Sequence, residues 1–360
     1  KKPRPIRSIS PFRVRVQRHV KILSCLTNTM DQIEMDDLDL AFSVDCTGSM
    51  SKHIEEAKKN IHNILQSIRK AISCKIRCAL VEYRDHPPEE QTFVTRVHDF
   101  TSSEKKMSKW INDMAAKGGG DPPEAVADAL HDLSQLSWSP KSVKVAVLVA
   151  DAPPHGIGHS DDKMNDGCPD HYDPIQESKE LARKTVTLYV LGCEPSLLRF
   201  KDFFQGLAFN TGGQYIPLKN SDQLCQTIVS AVRVTTSAKP VVEEIASVIA
   251  EVRAEFRTLD ESQLTKIAHD RLSKKGIKVD ELMYRGSGIE PVSSSGRLIA
   301  NSSSVDEVRQ DWVSTAPSTS SERAADGATI SVFTAPVSVH RVEREVRKLA
   351  LGHPDVVKLS

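Results

Sequence analysis

Leu40-Ala41-Phe42-Ser43-Val44 runs directly into Asp45-Cys46-Thr47-Gly48-Ser49-Met50-Ser51, and the reading of this stretch decides the fold. The first five residues form a short apolar run that reads as a buried strand. After the polar turn, Ile54, Ala57, Ile61, Ile64, Leu65 and Ile68 recur at spacings of three and four, which places them on one helix face. Ser51 is placed to cap that helix, with Glu55 in its first turns.

The alternation continues to about residue 233. Further strand-like runs lie at 76–81, 143–149 and 186–191. Apart from Arg77, Lys144 and Thr187 they are apolar, the pattern of a parallel sheet covered on both faces, so an α/β, doubly wound domain is expected. Residues 76–83, the loop Arg84-Asp85-His86-Pro87-Pro88 and residues 92–97 read instead as an antiparallel hairpin at one sheet edge. Pro122 and Pro123 are expected to open a helix whose apolar face is Ala125, Val126, Ala129, Leu130 and Leu133. More helices are expected around 181–182, at 200–209 and at 224–232.

Past residue 236 the character changes. Val241, Val242, Ile245, Val248, Ile249, Val252 and Phe256 make one amphipathic helix, and 261–274 a weaker one. Residues 286–326 are rich in Ser, Thr, Gly and Ala. Few large side chains there can offset a backbone ordering cost of roughly 1–2 kcal/mol per residue. The expected division is a basic arm at 1–37, the α/β domain at 38–235, a helical segment at 236–285, a disordered Ser/Thr-rich stretch at 286–328, and a C-terminal segment with a short helix at 329–360.

Over 360 residues, 48 basic and 48 acidic side chains cancel, so nothing global favours nucleic acid. The arm carries Lys1, Lys2, Arg4, Arg7, Arg13, Arg15, Arg18 and Lys21, a charge suited at most to anionic surfaces. The 7 cysteines are scattered without zinc-ribbon spacing, several inside apolar runs, and reduced thiols in an intracellular setting are expected. No apolar region follows the basic start, so a secretory signal is not expected. No run approaches the roughly 20 apolar residues of a membrane span.

Three segments gather polar residues at the carboxyl ends of strands or at loop-to-helix junctions. They are Asp45-Cys46-Thr47-Gly48-Ser49, Gly118-Gly119-Gly120-Asp121-Pro122-Pro123-Glu124, and Asp151-Ala152-Pro153-Pro154-His155. In open α/β sheets ligands collect there, so the three loops are expected to meet. Hydroxyls and carboxylates together suit a hard cation such as Mg²⁺, which takes near-octahedral oxygen ligands at about 2.0–2.1 Å.

Asp45, Thr47 and Ser49 match an Asp-x-Ser/Thr-x-Ser signature, and Asp151 matches an acidic residue ending a fourth strand. On these residues, segment 38–233 resembles the von Willebrand factor A family and its metal-ion-dependent adhesion site. The resemblance implies a divalent ion, Mg²⁺ or else Mn²⁺ or Ca²⁺, held by Asp45, Thr47, Ser49, Asp121 and Asp151. Adhesive members of the family usually carry Thr where this chain has Asp121. A direct Asp121 ligand adds negative charge, which should tighten the ion and weaken its pull on a partner's carboxylate. A more structural, less adhesive metal is therefore expected. Glu124 reads as a first-turn acid favoured by its helix dipole.

His155, His159, Asp161, Asp162, Asp166, Asp170, His171 and Asp173 follow in the third loop, which reads as a solvated rim with Cys168 a bystander. A second metal site of mixed ligands is the alternative there. Ser49, His155 and Asp151 can be drawn as a hydrolase triad, but no nucleophile elbow is present. Gly118-Gly119-Gly120 is not a phosphate loop, because no Gly-Lys-Ser/Thr follows. The resulting expectation is a non-enzymatic, cytoplasmic interaction module that meets a protein partner at its metal-bearing edge. The alternative is a regulatory or targeting domain of a larger enzyme, because similar A-type domains stand beside alpha-kinase domains. A secreted adhesion protein would need a signal sequence and paired cysteines.

Overall fold

Strand β1 (Asp37–Asp45) sends Leu38, Leu40 and Phe42 into one apolar cluster and Ala41 into another. This is the two-residue period of a strand buried on both faces. The computed structural model describes residues 37–71, 74–120, 122–219, 223–256, 258–284, 287–312 and 330–352. The basic arm at 1–36 lies outside them.

Strands β2 (Lys75–Tyr83) and β4 (Val143–Ala150) flank β1 in parallel. Beyond β4 come β5 (Thr187–Cys193) and β6 (Tyr215–Leu218), also parallel. At the other edge β3 (Thr95–Thr101) pairs antiparallel with β2, the expected hairpin with its second strand shifted towards the C-terminus. The order is β3-β2-β1-β4-β5-β6, a doubly wound sheet. Succession through the sheet reverses between β1 and β4, and the crevice beyond the carboxyl ends of those two strands is where such sheets bind ligands.

Helices α1 (Ser51–Ala71), α2 (Glu104–Asp113) and α6 (Leu224–Ser237) cover one face, burying Ile54, Ile68, Met107, Ile111, Leu224 and Ile228 against Leu40 and Phe42. The other face is covered by α3 (Val126–Gln135), α4 (Pro174–Arg183) and α5 (Lys201–Asn210), through Leu130, Leu133, Ile175, Leu181, Phe203 and Phe204. Two local expectations change. Ser51 is the first residue of α1 and closes the 3-10 turn at Gly48–Met50; its hydroxyl donates to Gly48 O at 2.7 Å instead of capping α1. Pro122 and Pro123 precede α3, which begins only at Val126.

A third cluster forms where α7 (Lys239–Glu255), α8 (Glu261–Lys274) and α11 (Val339–Gly352) pack through Ile245, Val248, Val252, Leu264, Leu272 and Val346. Segment 236–285 is not wholly helical. Strand β7 (Lys278–Tyr284) pairs antiparallel with β8 (Ser287–Gly288) and β9 (Ile330–Pro336). Leu282 and Ile330 from this small sheet join the first cluster, and Gln226 of α6 donates to Ile330 O at 2.6 Å.

The stretch expected to be disordered also carries helices, α9 (Ser294–Asn301) and α10 (Val305–Trp312); residues 313–329 lie outside the described residues. The physical reason is docking. Ile299, Val305 and Val308 sink into the second cluster. Gly206 of α5 approaches Gly296 so closely that a Cβ on Gly206 would stand 2.8 Å from Gly296 O. Asp173 caps α4 with one carboxylate oxygen, accepting Ile175 N–H at 2.9 Å, and holds Val305 N–H with the other at 2.7 Å. The segment adds to an existing core instead of building its own, which composition alone does not reveal.

Candidate metal centre

The register that pairs Asp45 with Tyr83 and Val44 with Val149 puts the ends of β1, β2 and β4 level. Backbone hydrogen bonds then stitch the loops together. Gly48 N–H donates to Gly118 O at 3.1 Å and Lys117 N–H to Cys46 O at 3.0 Å, joining the first loop to the second. Glu124 N–H donates to Pro153 O at 2.9 Å, joining the second to the third. Gly118 and Gly119 hold φ values of 78° and 79°, a left-handed conformation that glycine adopts without strain. The expected meeting of three loops is what the fold builds.

Asp45 organises the first loop. Its Oδ1 accepts both the Thr47 N–H at 2.8 Å and the Thr47 hydroxyl at 2.6 Å, an Asx-type turn. Thr47 has given away its single hydroxyl proton, so across the 3.1 Å contact Ser49 is the donor. Lone pairs of both hydroxyls remain to accept or coordinate. Asp45 and Thr47 are buried, while Ser49 sits exposed at the mouth.

The carboxylates are poorly compensated. Asp45 Oδ2 and Asp151 Oδ1 are both buried without a hydrogen-bond partner. Burial, and then the neighbouring Asp151, raise Asp45 to about 8, although the Thr47 hydrogen bonds pull the other way. Burial and the charges of Asp45, Asp151 and Glu124 push Tyr83 well above the usual phenol range. Orphaned carboxylate oxygens beside two hydroxyls are a donor set that fits a hard divalent cation. Asp45, Thr47, Ser49 and Asp151 would hold it. Asp121 lies outside the described residues.

Glu124 was underestimated by sequence reasoning. It precedes α3 and is 4% exposed, and a Cβ on Gly119 would stand 2.8 Å from its Oε1 and 3.1 Å from Thr47 Cβ. Its carboxylate therefore reaches the loop cluster, a third acid there. The Gly-rich turn before it was the available signal, since a side chain at Gly119 would block that approach.

The third loop is only partly a solvated rim. His155 is buried, with Nδ1 2.8 Å from Asp162 and Nε2 2.7 Å from Asp85. Burial alone would lower it, but the two carboxylates outweigh that and raise His155 to about 9. Both ring nitrogens are thereby engaged, and no triad with Ser49 forms. Asp162 also accepts the Gly156 and Met164 N–H groups, and Asp173 caps α4. His159, Asp161, Asp166, Asp170 and His171 stay at or near the surface.

Residues 39–162 match the family model described as the von Willebrand factor A domain. That matched segment supplies β1 to β4 of the mostly parallel six-stranded sheet flanked by helices. Among curated proteins, alpha-protein kinase vwkA of Dictyostelium discoideum is 32% identical over 120 residues, 33% of this chain and 19% of that protein. A putative ariadne-like RING finger protein of Acanthamoeba polyphaga mimivirus is 26% identical over 197 residues, 52% of this chain and 19% of that protein. The chain thus spans about a fifth of the length of either. Among solved structures, the pilus adhesin SpaC of Lactobacillus rhamnosus GG superposes with a TM-score of 0.43 at 12% identity, over 57% of this chain and 31% of that one. No helix among the described residues is long and apolar enough to cross a membrane.

Proposed function

We propose that this chain is a protein-interaction module stabilised by one divalent cation, Mg²⁺ or else Mn²⁺ or Ca²⁺, at Asp45, Thr47, Ser49, Asp121 and Asp151. The observation that carries the reading is the pair of buried, unpartnered oxygens, Asp45 Oδ2 and Asp151 Oδ1, beside two hydroxyls at the sheet's switch point. A bound cation supplies the charge these carboxylates lack and fixes the three loops as one surface. A protein partner then meets the metal-bearing edge, where exposed Ser49 lies. Reduced thiols at Cys46, Cys168, Cys193 and Cys225 support an intracellular setting.

Titrating each ion into the metal-free chain while following thermal unfolding tests this. Stabilisation of about 2.7 kcal/mol is expected at a hundredfold excess over the dissociation constant. It should vanish in Asp45→Ala and Asp151→Ala. A wild type indifferent to all three ions would remove the proposal's basis.

The likeness to an alpha-protein kinase favours a second reading, in which the module regulates or targets a larger enzyme. A native reading frame carrying a catalytic domain decides for it, and one carrying none decides against.

A further inference from the structure

Three segments distant in sequence bring an imidazole, a carboxylate and a thiol together away from the Asp45 loop. His86 comes from the loop after β2, Asp128 from the first turn of α3, and Cys168 from the third loop. His86 Nε2 lies 2.9 Å from Asp128 Oδ2, Cys168 Sγ lies 3.2 Å from the same oxygen, and sulfur and imidazole nitrogen are 3.8 Å apart. His86 and Asp128 are buried and Cys168 is half-buried.

We propose that His86 Nε2, Asp128 Oδ2 and Cys168 Sγ form a second metal centre, selective for zinc. Zinc bonds of about 2.3 Å to sulfur and about 2.0–2.2 Å to nitrogen and oxygen, at tetrahedral angles, separate neighbouring ligands by roughly 3.4–3.6 Å. The observed separations bracket those values, and rotations of a few tenths of an ångström convert one arrangement into the other. The ligand types choose the ion: thiolate and imidazole favour zinc, whereas the all-oxygen set at Asp45 favours a harder cation. Charge also balances, because one carboxylate and one thiolate match a divalent ion while His86 stays neutral.

In the metal-free cluster Cys168 donates its thiol proton to Asp128 Oδ2, and a metal-ligating thiol is deprotonated outright, which frees both atoms for an ion. His155 cannot be a fourth ligand, because Asp85 and Asp162 take both its nitrogens. The fourth position falls to water on the side where Cys168 is half-exposed. The ion would tie the β2–β3 loop and α3 to the loop that leaves Asp151, bracing the rim of the first site from behind.

The experiment uses the full chain as Asp45→Ala, which removes the first centre, stripped of metal and given one equivalent of Co²⁺ or Zn²⁺. The expected result is a thiolate-to-cobalt charge-transfer absorption and one zinc per chain. The additional change Cys168→Ser should abolish the absorption, and His86→Gln or Asp128→Asn should weaken zinc binding by at least about a hundredfold. No charge-transfer absorption with Co²⁺, or one that survives Cys168→Ser, overturns the proposal and leaves a hydrogen-bonded cluster only. Should Cys168→Ser fail to fold, protection of Cys168 from alkylation in the wild type decides. Zinc is expected to slow its modification at least tenfold, and an unchanged rate overturns the site.

Discussion

Asp85 and Asp162 grip His155 from both sides, at 2.7 and 2.8 Å, whereas Asp45 and Asp151 meet with no cationic partner within hydrogen-bond reach among the described residues. Both acid pairs lie at the same end of the sheet. In the first, His155 bridges the two acids, leaving Asp85 Oδ2 alone unpartnered, and the Asp162 hydrogen bonds to His155, Gly156 and Met164 outweigh its burial and lower its carboxyl. In the second, burial and mutual repulsion raise Asp45 to about 8. Since like charges crowded in an apolar setting disfavour ionisation, the contrast separates an acid pair bridged by an internal imidazole from one that no cationic side chain bridges among the described residues.

Removing the internal cation should have the largest effect. His155→Ala leaves two carboxylates buried without a counterion, and breaking such a cluster costs about 3–5 kcal/mol, measurable by urea unfolding. A loss below about 1 kcal/mol would mean that His155 does not compensate buried charge there. The Asp45 pair should respond in the opposite sense. Without metal, Asp151→Asn should be as stable as the wild type or more so, because it relieves repulsion. It should also forfeit the roughly 2.7 kcal/mol gained from saturating Mg²⁺. A metal-free Asp151→Asn markedly less stable than the wild type would erase the distinction between the pairs.

The pH dependence follows from His155, whose folded pKa is raised to about 9. Its contribution is fully present below the unfolded value of about 6.5 and lost as pH rises through about 9. The slope attributable to this one proton is at most about 1.4 kcal/mol per pH unit. Equilibrium unfolding between these limits should show it in the wild type and not in His155→Gln; equal slopes would contradict it. Asp121→Thr should have the smallest effect, tightening an acidic peptide several-fold, under about 1.4 kcal/mol, while loosening the ion. Peptide affinity unchanged from the wild type would argue against Asp121 as a direct ligand.

The central sheet was legible because β1, β2, β4 and β5 are mostly apolar, interrupted only by single polar residues such as Asp39, Arg77, Lys144 and Thr187, and the first loop because Asp45, Thr47 and Ser49 follow a strand at fixed spacing. Strand β7 was not legible. It is only seven residues long with mixed polarity, and its main partner β9 lies far along the chain. Helices α9 and α10 were missed because Ile299, Val305 and Val308 become a core only against α4 and α5. Cys168 read as a bystander for a related reason. Its neighbours His86 and Asp128 lie 82 and 40 residues earlier, and only the folded chain joins them.

The stitches between the three loops run through the main chain, from Gly48 to Gly118, Lys117 to Cys46 and Glu124 to Pro153. Side chains on these loops can therefore be exchanged without unpicking the backbone platform that carries them, because none of the three stitches runs through a side chain.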